Sequence, residues 1–449
     1  MPVTFVRRAA SAGTAALLAV LLSAAANSAA TPDIKRKHRS ARQHSSATTT
    51  SQRKAAPTQA PAQAQALLPR FGSPYAYRQA VGDTWYNTVD SNGRILATSN
   101  DTGGYAGACV TRAQHGSDIA INRMKGPPRD LAIRTINCMR AYGPMGGGPS
   151  PDGCSWKTGG ITRIGHTVYL AVARQLRRCN ADQSKGLQPS FNASIIKSDD
   201  DGQTWTNPWG RHSRYGAAPA WNPDLKRYRA MFAGQNFSAP FFVQYGPGNT
   251  NTVDGADKYL YAVSNDGYAY DGNYLLLGRV PLGKVQQRTA WQFYHRGANG
   301  PYWSGSLSDA AHVLDAKHGI SQPAIQYVPA LRRYVLVTFS YRYTTAFPAP
   351  SATPYTSFAI YSAPHPWGPW TRVFDRSTQR SLWCGTHCRA GSPNDHYGFY
   401  DPTLVQKYVF RSGPANQTVF TSGDFKNQTP RWEPVNLYRL RELPLTLVG

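Results

Sequence analysis

Ser198-Asp199-Asp200-Asp201-Gly202-Gln203-Thr204-Trp205 is the stretch on which the fold turns. An Asp placed between Ser and Gly at this spacing can fold its carboxylate back onto the amides of a tight turn. The Trp that follows is too large and apolar to be left in water, so it plugs whatever lies beneath. A weaker echo stands at Ser264-Asn265-Asp266-Gly267. Around both, strand-like runs such as Thr167-Val168-Tyr169-Leu170-Ala171-Val172 alternate with Gly, Pro, Asn and Asp turns. Further runs at 258–263 and 333–338 repeat the pattern, and no segment carries a helical period. The composition agrees: 40 Gly, 33 Pro, 12% aromatic and only 16% charged residues exclude a coiled coil or helical bundle. With 16 Phe, 26 Tyr and 11 Trp to bury, a fully disordered chain is excluded too.

The octapeptide resembles the Asp-box, S-x-D-x-G-x-x-W, a hairpin turn between outer strands of a propeller blade. Asp200 is therefore expected to be structural. Sialidases carry the motif, but in several copies and with an arginine cluster that this sequence does not display. No Ser/Gly/Pro linker divides residues 71–449, which reads as one domain. A sandwich rarely grows that large, whereas a propeller adds ~40–50 residues per four-stranded blade. The expected fold class is all-β, a five-bladed β-propeller.

The N-terminus reads as an export signal over residues 1–30. Arg7 and Arg8 precede an apolar run from Ala15 to Ala26 and a small-residue stretch, Ser28-Ala29-Ala30. The apolar run is shorter than the ~20 residues that span a bilayer, so no stable membrane insertion is expected. Residues 31–70, rich in Ala, Ser, Thr, Gln and Pro, carry eight Lys/Arg against Asp33 alone and read as a disordered basic linker. The expected location is secreted, periplasmic or cell-surface.

Of the formal net charge of +25, +16 remains on residues 71–449. Arg scattered among strands, without a nucleic-acid motif, points to contact with anionic cell-envelope polymers rather than to nucleic acid. Six cysteines (Cys109, Cys138, Cys154, Cys179, Cys384 and Cys388) suit disulfides in an exported chain. Local economy favours Cys384 with Cys388, and the other pairings stay open. A zinc site near His387 lacks the paired CxxC spacing. Absent too are a Gly-x-Ser-x-Gly elbow, a P-loop and a dinucleotide fingerprint. No cofactor is called for, although a central Ca²⁺ held by carbonyls and Asp would leave no motif.

Glu occurs only at Glu433 and Glu442, so the other 22 acidic residues are Asp and any carboxylate chemistry is Asp chemistry. Two stand at strand ends: Asp83 in Gly82-Asp83-Thr84-Trp85 and Asp101 in Thr98-Ser99-Asn100-Asp101-Thr102-Gly103-Gly104. A glycosidase needs such a pair, one carboxylate near the anomeric carbon and one carboxylic acid at the leaving oxygen. The plain alternative is two turn Asp residues bonding local amides.

These stretches, with Lys157-Thr158-Gly159-Gly160-Ile161, the octapeptide, residues 274–281 and residues 362–370, resemble the bacterial family catalogued as domain of unknown function 4185. That family is linked to endo-D-arabinanases of glycoside hydrolase family 183. The resemblance implies a five-bladed propeller whose central funnel holds a furanoside, with Asp83 and Asp101 as catalytic pair. Asp83 is the favoured nucleophile or base and Asp101 the favoured acid. The family often has Pro where Lys157 stands. Trp85, Asn100, Tyr105, Trp156, Trp303, His396 and Tyr397 are the candidate substrate-binding residues, each of the aromatics serving equally well as packing. The expected activity is endo-hydrolysis of a furanose-containing polysaccharide such as D-arabinan. The rival readings are a non-catalytic glycan-binding or scaffolding propeller, and a hydrolase or lyase acting on an anionic polymer.

Overall fold

Strands and short 3-10 turns make up all the regular structure among the described residues. The computed structural model describes residues 67–177, 189–269, 272–341, 356–377, 400–409, 415–422 and 439–448. They belong to one compact unit, Gln63–Gly449. The export signal, most of the linker, Cys179, Cys384, Cys388, His396 and Tyr397 lie outside them. No helix of the described residues is long and apolar enough to cross a membrane.

Five strands line one narrow axial cavity: Asn87–Val89, Cys154–Ile164, Phe241–Gln244, Ala324–Val328 and Tyr400–Leu404. From each, antiparallel ladders run outward. Asn87–Val89 leads to Ile95–Tyr105, Ser117–Lys125 and Ala132–Asn137. Cys154–Ile164 leads to Thr167–Arg177, Ser190–Ser198 and Trp205–Thr206. Phe241–Gln244 leads to Tyr259–Asn265, Gly272–Pro281 and Gln292–Gly297. Ala324–Val328 leads to Arg333–Tyr341, Thr356–Ala363 and Thr371–Ser377. Tyr400–Leu404 leads to Ala415–Ser422, Arg439–Val448 and then Tyr75–Asp83. The last pairing joins the two ends of the chain, which removes an open edge. Leu68–Phe71 also pairs with residues 445–448, so the fold begins before the linker boundary expected at Arg70.

Inner strands must approach closely, and the Thr-Gly-Gly motif permits it. A β-bulge between Thr158 and Ile161 frees Gly160 to donate its N–H to the Pro240 carbonyl at 2.8 Å. A Cβ on Gly160 would lie 2.5 Å from Phe242 N, and one on Gly159 2.6 Å from Pro240 O. On the axis itself amides replace apolar packing. Gln244 donates to the Ile161 carbonyl at 2.5 Å and accepts from Gln406 at 2.6 Å and Thr162 at 3.0 Å. The core packs between neighbouring ladders around Leu96, Ile121, Leu170, Ile196 and Trp205.

The octapeptide forms the turn between the third and fourth strands of its ladder, Ser190–Ser198 and Trp205–Thr206. Asp200 Oδ1 accepts from the Gln203 and Thr204 amides at 3.1 and 2.8 Å, and Oδ2 accepts from the Thr204 hydroxyl at 2.6 Å. Trp205 is fully buried, its indole N–H donating to the Gly202 carbonyl. Asp200→Asn puts an NH2 group among donors and is expected to cost ~1–3 kcal/mol. Urea unfolding reads the loss, and turnover should stay unchanged. Glu442 is equally committed to structure: it is buried in Arg439–Val448 and accepts from Tyr77 Oη at 2.6 Å and Arg129 N at 2.9 Å.

Candidate active site

Asp83 ends the strand Tyr75–Asp83, with its Cα opposite Asn100. The next residue, Thr84, has φ 57°, a left-handed conformation that the Thr98 hydroxyl holds by donating to the Thr84 carbonyl at 2.6 Å. This turn places the Thr84 hydroxyl 2.8 Å from Asp83 Oδ1 and 3.0 Å from Asp401 Oδ2. One hydroxyl carries one proton, so it cannot donate to two carboxylates at once. Asp401 is fully buried and its Oδ1 has no hydrogen-bond partner. Burial, and then the charge of Asp83, push its proton affinity well above the carboxylate range. Asp401 is therefore a carboxylic acid that donates to Thr84 Oγ1, leaving Thr84 to donate to Asp83.

Asp101 lies one residue beyond Asn100, at φ 41°. Its Oδ1 accepts from Lys157 Nζ at 2.6 Å and from Gly146 N at 2.9 Å. Lys157 also approaches Asp118 Oδ1 at 3.5 Å, and Asp118 accepts from Gly147 N at 3.0 Å and Trp156 N at 3.2 Å. Burial alone would raise the Asp101 carboxyl. The charge and hydrogen bond of Lys157 outweigh burial and hold Asp101 below its ordinary range. For Asp118 burial wins: it is pushed up to about 6, with the charge of Asp101 adding to the rise and Lys157 opposing it. Burial likewise disfavours the Lys157 ammonium, but Asp101, Asp118 and Asp83 together keep it charged. The Asp101 side chain is 22% exposed against 1% for Asp118, so Asp101 is the more accessible of the two.

Three residues of this cluster, Thr84, Asp101 and Asp401, have left-handed backbones without being glycine. Such positions cost ~1 kcal/mol or more each and persist where the surroundings over-determine them. The loop that supplies the Gly146 and Gly147 amides also lines a cavity of about 460 Å³, with Pro149, Ser150 and Ser155. Gly147 has φ 75°, and a Cβ there would meet Ser155 Oγ at 2.2 Å. Only glycine lets that amide reach Asp118.

The ladder sets Asp83 opposite Asn100 and so beside Asp101, which lies inside the strand Ile95–Tyr105 and not at a strand end as expected. Asn100 is buried, its Oδ1 accepting from Thr158 Oγ1 at 3.1 Å, which makes it a strut between two strands. Four of the aromatic candidates have other work. Trp85 is fully buried and donates its indole N–H to the Gly82 carbonyl at 3.0 Å, so it cannot stack on a sugar. Trp156 is buried between Tyr142, Tyr228 and the Arg174 guanidinium. Tyr105 pairs with Ala80 at the far end of its strand from Ile95 and packs on the Trp85 core. Trp303 packs at tilted or edge-on angles against Tyr261, Tyr294 and Trp367, with the Arg279 guanidinium over its ring. Cys109 and Cys138 form a disulfide, with Cα atoms 5.5 Å apart, and Cys154 is also disulfide-bonded.

Asp118, Asp401 and Lys157 are the site residues that sequence reading missed as chemistry. A signal existed: Asp118-Ile119-Ala120-Ile121 and Asp401-Pro402-Thr403-Leu404 each put a carboxylate at the head of a buried strand. Lys157, noted above only as a departure from Pro, is the cation that organises the acids.

No family model matches this chain, and no curated protein matches it. Among solved structures it is similar to a putative hydrolase from Bacteroides ovatus, at 14% identity and TM-score 0.46, over 81% of this chain and 85% of that one. It is also similar to the catalytic domain of the Coprinopsis cinerea GH62 alpha-L-arabinofuranosidase, at 10% identity and TM-score 0.42, over 84% and 97%. The xylan beta-1,4-xylosidase from Bacillus halodurans follows at 10% identity and TM-score 0.43, over 84% of this chain and 54% of that one. This chain therefore spans about half the length of that xylosidase.

Proposed function

We propose that this chain is an exported, five-bladed β-propeller glycoside hydrolase that cuts within a furanose-containing polysaccharide of the D-arabinan kind. The blade count rests on the five outward-running ladders around one axial cavity. Export rests on the N-terminal pattern of a basic start, a short apolar run and small residues. The furanose preference rests on the resemblance of the sequence motifs to the endo-D-arabinanases.

One observation carries the chemistry: two carboxyl systems meet in one cluster with opposite proton affinities. Asp101 is held ionised by Lys157, while Asp83 and Asp401 share a proton through Thr84. Splitting the proton affinities of neighbouring carboxyls is how a glycosidase assigns its roles. Asp101 then acts at the anomeric carbon, as nucleophile or as base on a water. The Asp401 proton passes to Thr84 Oγ1 as the Thr84 hydroxyl proton passes to Asp83, which then gives it to the leaving oxygen and leaves Asp401 ionised. That order reverses the one favoured from sequence, because an aspartate paired to a buried lysine at 2.6 Å is a poor proton donor. The cavity of about 460 Å³ beside the cluster is of the size that holds a few sugar units.

Purified protein incubated with D-arabinan, L-arabinan, galactan and xylan tests the reading. Short soluble oligosaccharides should appear from an arabinan, as expected of internal cleavage. Binding without release from any of them would instead favour the scaffolding propeller.

A further inference from the structure

Beside the acidic cluster lies a surface of opposite character. The segment 207–230 carries Arg211, Arg214, Lys226, Arg227 and Arg229 against Asp224 alone. All of these but the half-buried Arg227 are exposed, and Arg140 is exposed next to them. None of these cations has an ion-pair partner among the described residues. Two large aromatics stand out among them, Trp209 at 40% and Tyr215 at 47% exposure. Arg214 lies over the Tyr215 ring, its guanidinium carbon 4.7 Å from the centroid. Stacking of this kind stiffens both side chains with the ring still open to solvent.

The surface is tied to the site by direct contacts. Tyr215 O accepts from Ala141 N at 2.8 Å, and Arg214 O accepts from the Asn137 side chain at 3.0 Å. Tyr142 packs edge-on against Trp156, whose other neighbour is Tyr228. The Trp156 amide in turn holds Asp118, and the next residue is Lys157. The basic, aromatic face and the carboxylates are thus two sides of one packed wall.

Unneutralised cations are costly to collect on one face, since like charges repel even across solvent. Single cations here alternate with aromatic faces instead of forming one dense block. A uronate-bearing polysaccharide offers the matching alternation: an apolar sugar face for Trp209 or Tyr215, and a carboxylate that an arginine fork can bind. We propose that the 207–230 segment docks an acidic, uronate-containing polysaccharide, whose furanose branches are thereby presented to Asp83 and Asp101. Calling the branches substrate rests on the glycosidase reading above. The docking rests on this surface alone.

Binding is measured on the full-length Asp101→Asn variant, so that cleavage plays no part. Three probes are compared by titration calorimetry at low and high salt: polygalacturonate, neutral arabinan and single-stranded oligothymidylate of matched charge. Polygalacturonate should bind best, and more weakly as salt rises. Adding Arg211→Gln, Arg214→Gln and Arg229→Gln should lower its affinity roughly tenfold or more. Trp209→Ala with Tyr215→Ala should weaken it several-fold even at high salt, where stacking remains and charge is screened. Equal binding by the triple variant would overturn the proposal, since the N-terminal arm would then be the binder. So would tighter binding of the oligothymidylate, or no binding of polygalacturonate. Cleavage of arabinan by the parent protein without polygalacturonate binding would sink the docking surface and leave the catalytic reading intact. Binding without any cleavage would do the reverse.

Discussion

Asp101→Asn and Asp83→Asn should each lower kcat on the cleaved polysaccharide by about 10³-fold or more, with KM little changed. Neither change alters volume, so the fold should persist. Asp101→Asn also removes one partner of the buried Lys157 pair and should lower the melting temperature, whereas Asp83→Asn should leave it near the parent's. Asp401→Asn makes a milder variant: Asp401 touches no substrate, and its loss removes the proton reserve while leaving Asp83 in place. Its signature is a shifted basic limb of the pH–rate profile rather than a dead enzyme. Circular dichroism and steady-state kinetics on the same preparations separate lost chemistry from lost structure.

Lys157→Met should be the most damaging single change in the site. The Lys157 side chain is 5% exposed and lies within 3.5 Å of two carboxylates. Removing one partner of a buried ion pair leaves uncompensated charge, at a cost of ~3–5 kcal/mol. The pH dependence carries the sign. In the parent, the depressed Asp101 contributes stability that is present above the ordinary carboxylate range and is lost as pH falls through its lowered value. Without Lys157, burial, the largest influence on Asp101, instead raises it above its unfolded value. The variant then loses stability as pH rises beyond the ordinary carboxylate range. Denaturant melts of parent and variant should therefore lie further apart at pH 7 than at pH 4. An equal gap at both would show that Lys157 acts by packing alone.

The parts of this molecule that could be read from sequence are the parts decided locally. Asp200 meets its donors within four residues, so its turn was visible in eight letters. Strand alternation and turn residues sufficed for the all-β class, and Asp83 does end a strand, whereas Asp101, expected at a strand end, lies inside Ile95–Tyr105. The partners of those two were not legible, because the fold brings them from a distance. Thr84 and Asp401 are 317 residues apart, and Asp101 and Lys157 are 56 apart. Aromatic residues misled for a different reason. Trp85 and Trp156 have the chemistry of a sugar platform and of a core equally, and only their burial of 0% and 4% exposure decides between the two. The Arg-rich excess of charge was visible as a number, but its concentration beside the acids needed the contacts of Tyr142, Tyr215 and Trp156.

The division of protons between the two carboxyl systems is what the whole account depends on, and infrared difference spectroscopy reads it directly. The spectrum of Asp401→Asn is subtracted from that of the parent at neutral pH, with Asp101→Asn treated in the same way. The Asp401 difference should show loss of a protonated carboxyl band, and the Asp101 difference loss of an ionised carboxylate band. An ionised Asp401, or a protonated Asp101, would contradict that division.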